Sequence, residues 1–166
     1  MTDPQNNPLL QLEADHQAMG RLFAQWKQLL AARAPAAQRQ ALAEQICLEL
    51  AIHTRLEEEL LYPLAREASG DEALLDRAAQ EHASARELMC RVLRIAPDHA
   101  LYDARVTALC DFVEGHMDRE AGVLYPRLSA CGADLGLLGR RVRERRRELE
   151  AVPEALREDA LVTAIA

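Results

Sequence analysis

The chain has 166 residues, enough for one domain with a sizeable core. Apolar residues make up 49% but aromatics only 4%, so the interior must be built from Leu, Ala, Val and Met, as in a helical bundle. Of the formal net charge of −7, residues 131–166 contribute nothing, with seven Arg against seven acids, so residues 1–130 carry all of it (13 basic, 20 acidic), which disfavours nucleic acid and anionic membranes as partners.

No apolar run is long enough to span a bilayer and no secretory signal opens the chain, so a cytoplasmic location is expected. The cysteines Cys47, Cys90, Cys110 and Cys131 are scattered without a Cys-x-x-Cys and read as reduced, core or half-buried thiols.

Residues 1–8 form a polar lead, expected to be mobile. A first helix is predicted from Leu9 to Arg33, with Leu12, Met19, Phe23, Trp26 and Leu30 at four–three spacing and His16 within that series. Pro35 ends it. A second helix runs from Ala36 to Ala68, its inner stripe including Leu50, His53, Leu56, Glu57 and Leu60, and Ser69-Gly70 stops it. Asp71 is placed to cap a third helix carrying Leu75, Ala78, His82, Ala85 and Met89. Pro97-Asp98 breaks the chain and offers a cap to a fourth helix, with Val106, Leu109, Val113, His116, Glu120 and Val123, closed by Cys131-Gly132. Short connections make neighbouring helices antiparallel, an up-down four-helix bundle over residues 9–130.

Residues 131–166 add a short fifth helix, predicted over 134–150, and a loosely held tail over 151–166. Six arginines between Arg140 and Arg147 alternate with Glu144, Glu148 and Glu150. The expected reading is a solvated, salt-bridged face, with docking onto the acidic bundle or another subunit as the alternative.

One stretch occurs twice. His53-Thr54-Arg55-Leu56-Glu57 leads to Leu61-Tyr62-Pro63, and His116-Met117-Asp118-Arg119-Glu120 leads to Leu124-Tyr125-Pro126, 63 residues later. On a helix, positions i and i+4 lie about 40° apart, so each copy offers an imidazole and a carboxylate to one point. His16 precedes the first copy by 37 residues and His82 the second by 34, each directly after an acid, Asp15 and Glu81. Six ionisable groups thus fall on the inner stripes of four helices. Without a counter-charge they would be costly to bury, and one or more carboxyls would have to protonate.

His16, His53, Glu57, His82, His116 and Glu120 are therefore candidate metal ligands. Two ions can each take one His from either helix of a half, leaving the glutamates free to bridge. Four imidazoles and two carboxylates suit iron or manganese, with zinc also admissible. A ferritin-like site uses Glu-x-x-His at i,i+3, the reverse order and a different spacing. Glu13, three residues before His16, and Glu49, four before His53, are placed to face the site as extra ligands or as acceptors for an imidazole N–H. By α-helical geometry Tyr62 and Tyr125 point about 140° from the glutamates, which suggests helix packing with a hydroxyl reaching a backbone group, and a role beside the ligands as the alternative. The two prolines should kink or tighten the helix ends they occupy.

The pattern His16…His53-x-x-x-Glu57…His82…His116-x-x-x-Glu120 resembles the hemerythrin-like, HHE cation-binding domain over about residues 9–130. The resemblance implies a bundle holding a non-haem di-iron centre with an oxo or hydroxo bridge, Glu57 and Glu120 bridging through their carboxylates. Manganese or zinc is less in keeping with it. Family members bind dioxygen, sense oxygen or iron, or handle nitric oxide and peroxide.

One departure stands out: oxygen-carrying hemerythrins have a second His one turn along the third helix. Here Arg86 follows His82 by four residues, and Ala78 and Ala85 lie alongside. His99 is too far before His116 to substitute and reads as a helix-end or surface residue.

The implied function is binding or reduction of a small oxidant (dioxygen, hydrogen peroxide or nitric oxide), with peroxide-consuming activity of a catalase or peroxidase kind as the enzymatic expectation. Arg86, near the open position, would favour anionic oxidants. The alternative is a non-enzymatic oxygen or iron sensor. A monomer or homodimer is expected.

Overall fold

The structure, a computed structural model, describes residues 6–162. Helix α1 spans Pro8–Ala31. Helix α2, Ala36–Leu56, passes through a π-helical turn at Glu57–Leu61 into α3, Tyr62–Ser69. Helix α4 spans Glu72–Leu93. Helix α5, Tyr102–Arg119, passes through a second π turn at Glu120–Leu124 into α6, Tyr125–Ala130. Two C-terminal helices follow, α7 at Leu135–Glu150 and α8 at Pro153–Val162. The described residues contain no strand, so the all-α expectation stands. The bundle consists of four rods, α1, α2–α3, α4 and α5–α6, with α1 packed on α2 and α4 on α5.

The helix ends follow from local chemistry. The Asn7 side chain accepts the Leu9 N–H at 3.0 Å, and Pro8, which lacks an N–H, takes the first helical position. Residues 6–8 of the expected mobile lead are thus tied to α1, while residues 1–5 lie outside the described residues. Asp71 caps α4 through the Leu74 N–H at 3.1 Å. Gly70 closes α3 at φ +63°, where a side chain would be strained.

Asp98 does not cap the fourth rod. Pro97 and Asp98 lie in a turn closed by the His99 N–H on the Ala96 carbonyl at 3.0 Å, and α5 starts only at Tyr102. His99, read as a helix-end residue, stands just before α5, where its Nδ1 accepts the Leu101 N–H at 3.0 Å, and α5 has no side-chain cap.

The two repeats contain what α-helical reasoning does not foresee. The Tyr62 N–H reaches back five residues to the Glu57 carbonyl, and Tyr125 does the same to Glu120. Pro63 and Pro126 follow immediately and have no N–H with which to restore the regular ladder. The helix is widened before each proline rather than tightened at it.

Two apolar clusters sandwich a polar layer. One holds Met19, Phe23, Trp26, Ile46, Leu50, Met89, Val106 and Leu109. The other gathers Leu12, Leu56, Leu61, Leu75, Leu124 and Leu128 with residues of the C-terminal helices. Each such side chain stabilises by about 1.5–3 kcal/mol on burial. Trp26 also donates its indole N–H to the Thr107 hydroxyl at 3.0 Å, tying α1 to α5. All four cysteines are free; burial pushes the Cys47 and Cys110 thiols up to about 12, so they stay neutral core groups.

Helix α7 lies across α1, α2 and the first π turn, with Leu138, Val142 and Leu149 inward. Its arginine cluster is not simply a solvated face. Arg145 donates to Glu59 at 2.7 Å and Arg146 pairs with Asp15, so docking onto the acidic bundle occurs within the chain itself. The tail is likewise more ordered than its composition suggests. Residues 153–162 form α8 against α2 and α4. Leu156 and Ala160, one turn apart, are buried there, Asp159 pairs with Arg55 at 3.0 Å, and Arg94 donates to the Leu161 carbonyl at 2.7 Å. Residues 163–166 lie outside the described residues.

Replacing Leu156 with Ala should therefore cost about 2 kcal/mol or more, the toll of a core cavity. Chemical denaturation checks it; a tail held loosely would leave the midpoint unchanged.

Candidate metal centre

The four rods bring His16, His53, Glu57, His82, His116 and Glu120 into one polar layer. All six side chains are buried, His82 and Glu57 completely. They converge as two overlapping groups, His16–His53–Glu57–Glu120 and Glu57–His82–His116–Glu120, each with its ligand atoms within 4.8 Å of one another. Within each half the two imidazoles meet Nε2 to Nε2, at 3.1 Å for His16–His53 and 3.0 Å for His82–His116. Each carboxylate faces one imidazole from either half. Glu57 Oε2 lies 3.4 Å from His53 and 3.2 Å from His82, and Glu120 lies 3.3 Å from His16 and 3.2 Å from His116.

Acids behind the imidazoles decide which nitrogen carries hydrogen. His53 Nδ1 contacts Asp15 at 3.2 Å, His82 Nδ1 contacts Glu58 at 2.9 Å, and His116 Nδ1 contacts Glu81 at 2.6 Å. An ionised carboxylate only accepts, so each Nδ1 donates and each Nε2 turns a lone pair inward. Two lone pairs facing each other at 3.0 Å repel unless a cation or a proton lies between them. Glu57 Oε2 and Glu120 Oε2 are buried with no hydrogen-bond donor among the described residues, a further sign of an electropositive occupant.

The acids were partly visible in sequence, since Asp15 and Glu81 each precede a histidine. The pairing crosses over: the acid before the histidine of one helix holds the histidine of the next. Glu58 had no such signal, because its counterpart in the second repeat is Ala121. His16 Nδ1 accordingly has no hydrogen-bond partner among the described residues.

Tyr62 and Tyr125 do not reach backbone groups. Tyr62 donates to Glu120 Oε1 at 2.8 Å, and Tyr125 donates to Glu57 Oε1 at 2.6 Å, so each half's hydroxyl holds the other half's carboxylate. The π turns are the reason. With hydrogen bonds spanning five residues, each Tyr stands about one full turn after its Glu and shares its face. Burial and the nearby carboxylates raise both phenols far above the usual tyrosine range, which keeps them neutral donors.

Of the other outlying candidates, Glu13 is exposed; it stands about 100° around the helix from the buried Leu12, off the inner stripe. Glu49 is half-buried on the side of Asp15 and Arg146, its carboxyl raised by burial. Neither belongs to the converging groups. Arg86 turns to Glu58 at 2.6 Å, so it acts on His82 only by holding that carboxylate. Its charge is spent on an acid rather than offered at the edge of the site.

The model of the hemerythrin HHE cation-binding domain matches residues 7–128. The chain belongs to that family. Its fold is similar to the crystal structure of a hemerythrin HHE cation-binding domain-containing protein from Mycobacterium kansasii, with a TM-score of 0.74 and 23% identity, covering 96% of this chain and 97% of that one. No curated protein matches the chain. With this membership, the inward lone pairs and the buried carboxylates identify a metal-binding, hemerythrin-like site. Among the described residues no helix is long and apolar enough to cross a membrane.

The same geometry says where protons go when metal is withheld, and it differs from the carboxyl protonation expected above. Burial alone would depress His53, but the facing Glu57 and the Asp15 hydrogen bond push it up to about 10. Burial likewise opposes the rise at His82, which Glu57 and Glu58 push up to about 9. Burial would raise Glu57, yet His53 and His82 hold it well below the ordinary 4.5. Glu120 is also lowered, by His116 and His16 against burial and Glu57. The imidazoles, not the carboxyls, take the balancing protons.

The stability this gives the metal-free protein has two edges. The imidazole share is complete below the ordinary 6.5 and lost as pH rises through about 9 to 10. The carboxylate share is complete above 4.5 and lost as pH falls below it. Chelator-treated protein should thus melt highest between about pH 4.5 and 6.5. Melting temperatures that climb steadily from neutral pH to pH 10 would contradict the assignment.

Proposed function

We propose that this chain is a non-haem di-iron protein that binds or reduces a small oxidant, with peroxide as the substrate its chemistry suits best. The observation that supports the reading most is that each buried carboxylate faces one histidine of either half. That is the arrangement two ions sharing two bridging carboxylates require. His16 and His53 would hold one ion, His82 and His116 the other, and Glu57 and Glu120 both.

A di-iron pair supplies redox electrons and open coordination positions for a small ligand. The chain supplies the rest. Asp15, Glu58 and Glu81 fix ring orientation and strengthen the imidazoles as donors. Tyr62 and Tyr125 restrain Glu120 Oε1 and Glu57 Oε1 and are neutral O–H groups placed to hold or pass a proton at those carboxylates. The apolar clusters above and below keep bulk water from the layer.

Only two imidazoles serve each half, and Ala78 stands one turn before His82, so neither half carries a third histidine. A long-lived oxygen complex needs a protected site that oxidises slowly. The reduced protein is therefore expected to be oxidised by air and the oxidised protein to consume peroxide. Full recovery of the reduced spectrum on removing oxygen, with peroxide loss no faster than with free iron, would contradict this.

Glu57→Ala or Glu120→Ala should each lose more than one metal per chain, since each removes a ligand from both ions. Elemental analysis that finds both metals retained with unchanged spectra would rule out bridging. Glu58→Ala should weaken metal binding by about 10–100-fold, the usual effect of removing an acid behind a ligating histidine, whereas Glu13→Ala should leave it unchanged.

A further inference from the structure

Three of the four imidazoles are held by a carboxylate, and each of those carboxylates also receives an arginine. Arg86 donates to Glu58 Oε1 at 2.6 Å, the same oxygen that His82 Nδ1 meets at 2.9 Å. Arg119 Nε lies 2.8 Å from Glu81 Oε1, while Glu81 Oε2 holds His116 Nδ1 at 2.6 Å. Asp15 Oδ2 takes His53 Nδ1 at 3.2 Å and Arg146 together. The order arginine, acid, imidazole thus recurs three times around the layer.

The arginines come from different places. Arg86 and Arg119 stand on the histidine's own helix, four residues after His82 and three after His116. In the first repeat the position matching Arg119 is Leu56, fully buried, and nearby Arg55 is engaged by Glu59 at 3.6 Å and Asp159 at 3.0 Å. Helix α7 makes up the difference. It seats Leu138, Val142 and Leu149 in the same apolar cluster as Leu56, and Arg146, one turn after Val142, reaches Asp15. Arg146 lies outside residues 7–128, the stretch that matches the family model. Its neighbour Arg145 goes instead to Glu59, which pairs with Arg55 and Arg145 and not with a histidine.

A carboxylate on an imidazole N–H makes the ring a stronger donor to a metal. A guanidinium on the same carboxylate takes back part of that charge and holds the carboxylate in one orientation. Asp15 and Arg146 are only 19% and 21% exposed, so water and salt screen the effect incompletely. We propose that Arg146 is a positioning residue of the metal centre: through Asp15 and His53 it sets the balance between the reduced and oxidised states. Its positive charge favours the reduced state, in which the metal pair carries less charge of the same sign. The C-terminal helix α7 is then an electrical part of the centre as well as a packing element. The inference rests on reading the centre as a di-iron pair, and iron content measured on every sample separates the two.

The experiment is a spectroelectrochemical titration of the iron-loaded full chain, with iron content and the metal-free melting temperature measured on the same preparations. Arg146→Gln leaves Asp15 uncompensated, so the oxidised-to-reduced ratio at a fixed potential should rise about tenfold, a midpoint lower by about 59 mV for a one-electron step. Arg146→Lys should restore the wild-type midpoint, because the contact is made through one guanidinium nitrogen and needs only a point charge there. Arg86→Gln and Arg119→Gln should lower the midpoint as Arg146→Gln does. Arg145→Gln removes an ion pair from the same helix and should lower the melting temperature as much as Arg146→Gln while leaving the midpoint unchanged. An Arg146→Gln midpoint equal to the wild type's overturns the proposal. So does an equal fall in Arg145→Gln, which would reduce the effect to the docking of α7. Wild-type protein that holds no iron overturns the reading beneath it, through a measurement independent of the potentials.

Discussion

Two carboxylates sit in the middle of this bundle, almost wholly out of water, within 3.4 Å of imidazole nitrogens. An unpaired buried charge costs several kcal/mol, so the polar layer has to carry positive charge in every folded state. When the imidazoles donate through Nδ1 to Asp15, Glu58 and Glu81, their inner nitrogens are left as lone pairs, and a metal ion satisfies them and the carboxylates together. When metal is absent, protons shared by the imidazoles do the same less well. The rest of the fold can be read as the means of holding six groups in register so that one set of occupants suits them all.

The repeat is the economical part of that solution. A single unit, His on one helix and His-x-x-x-Glu on the next, is used twice, and each unit's tyrosine crosses over to the other's carboxylate. The crossing depends on the π turns. Without the extra residue in each, Tyr62 and Tyr125 would face away and Glu57 Oε1 and Glu120 Oε1 would lose their neutral donors. The proline after each tyrosine lacks the N–H that would compete for a regular ladder, so the sequence Leu-Tyr-Pro is a local instruction for a wide turn.

Much of this was legible in the chain. The i,i+4 spacing of His53 with Glu57 and of His116 with Glu120 already puts each pair on one face, and the four–three apolar stripes already place His16 and His82 inward. What was not legible depends on departures from regular geometry or on contacts distant in sequence. The tyrosine directions are not legible because the π turns depart from 100° per residue. The α8 segment was missed because a short run with only Leu156 and Ala160 inward carries little periodic signal until α2 and α4 are there to receive it. Glu58 was missed because its role depends on a neighbouring helix and has no partner in the repeat. The arginine cluster on α7 looked self-sufficient in sequence, while its Arg145 and Arg146 are spent on Glu59 and Asp15.

The asymmetry laid over the repeat connects fold to chemistry. α7 packs on the first half and Ala78 stands where the first half has Leu12, while Glu58 backs His82 and Ala121 leaves His16 unbacked, so the imidazoles of the layer differ in how firmly they are held. The central claim beneath all of this is that the layer is built for two ions acting as one unit. Anaerobic titration of metal-free protein with ferrous ion, followed by thermal melting at each point, tests it most directly. The account predicts a melting temperature that rises steeply and breaks at two equivalents per chain. A break at one equivalent, or a melting temperature indifferent to iron, would contradict it.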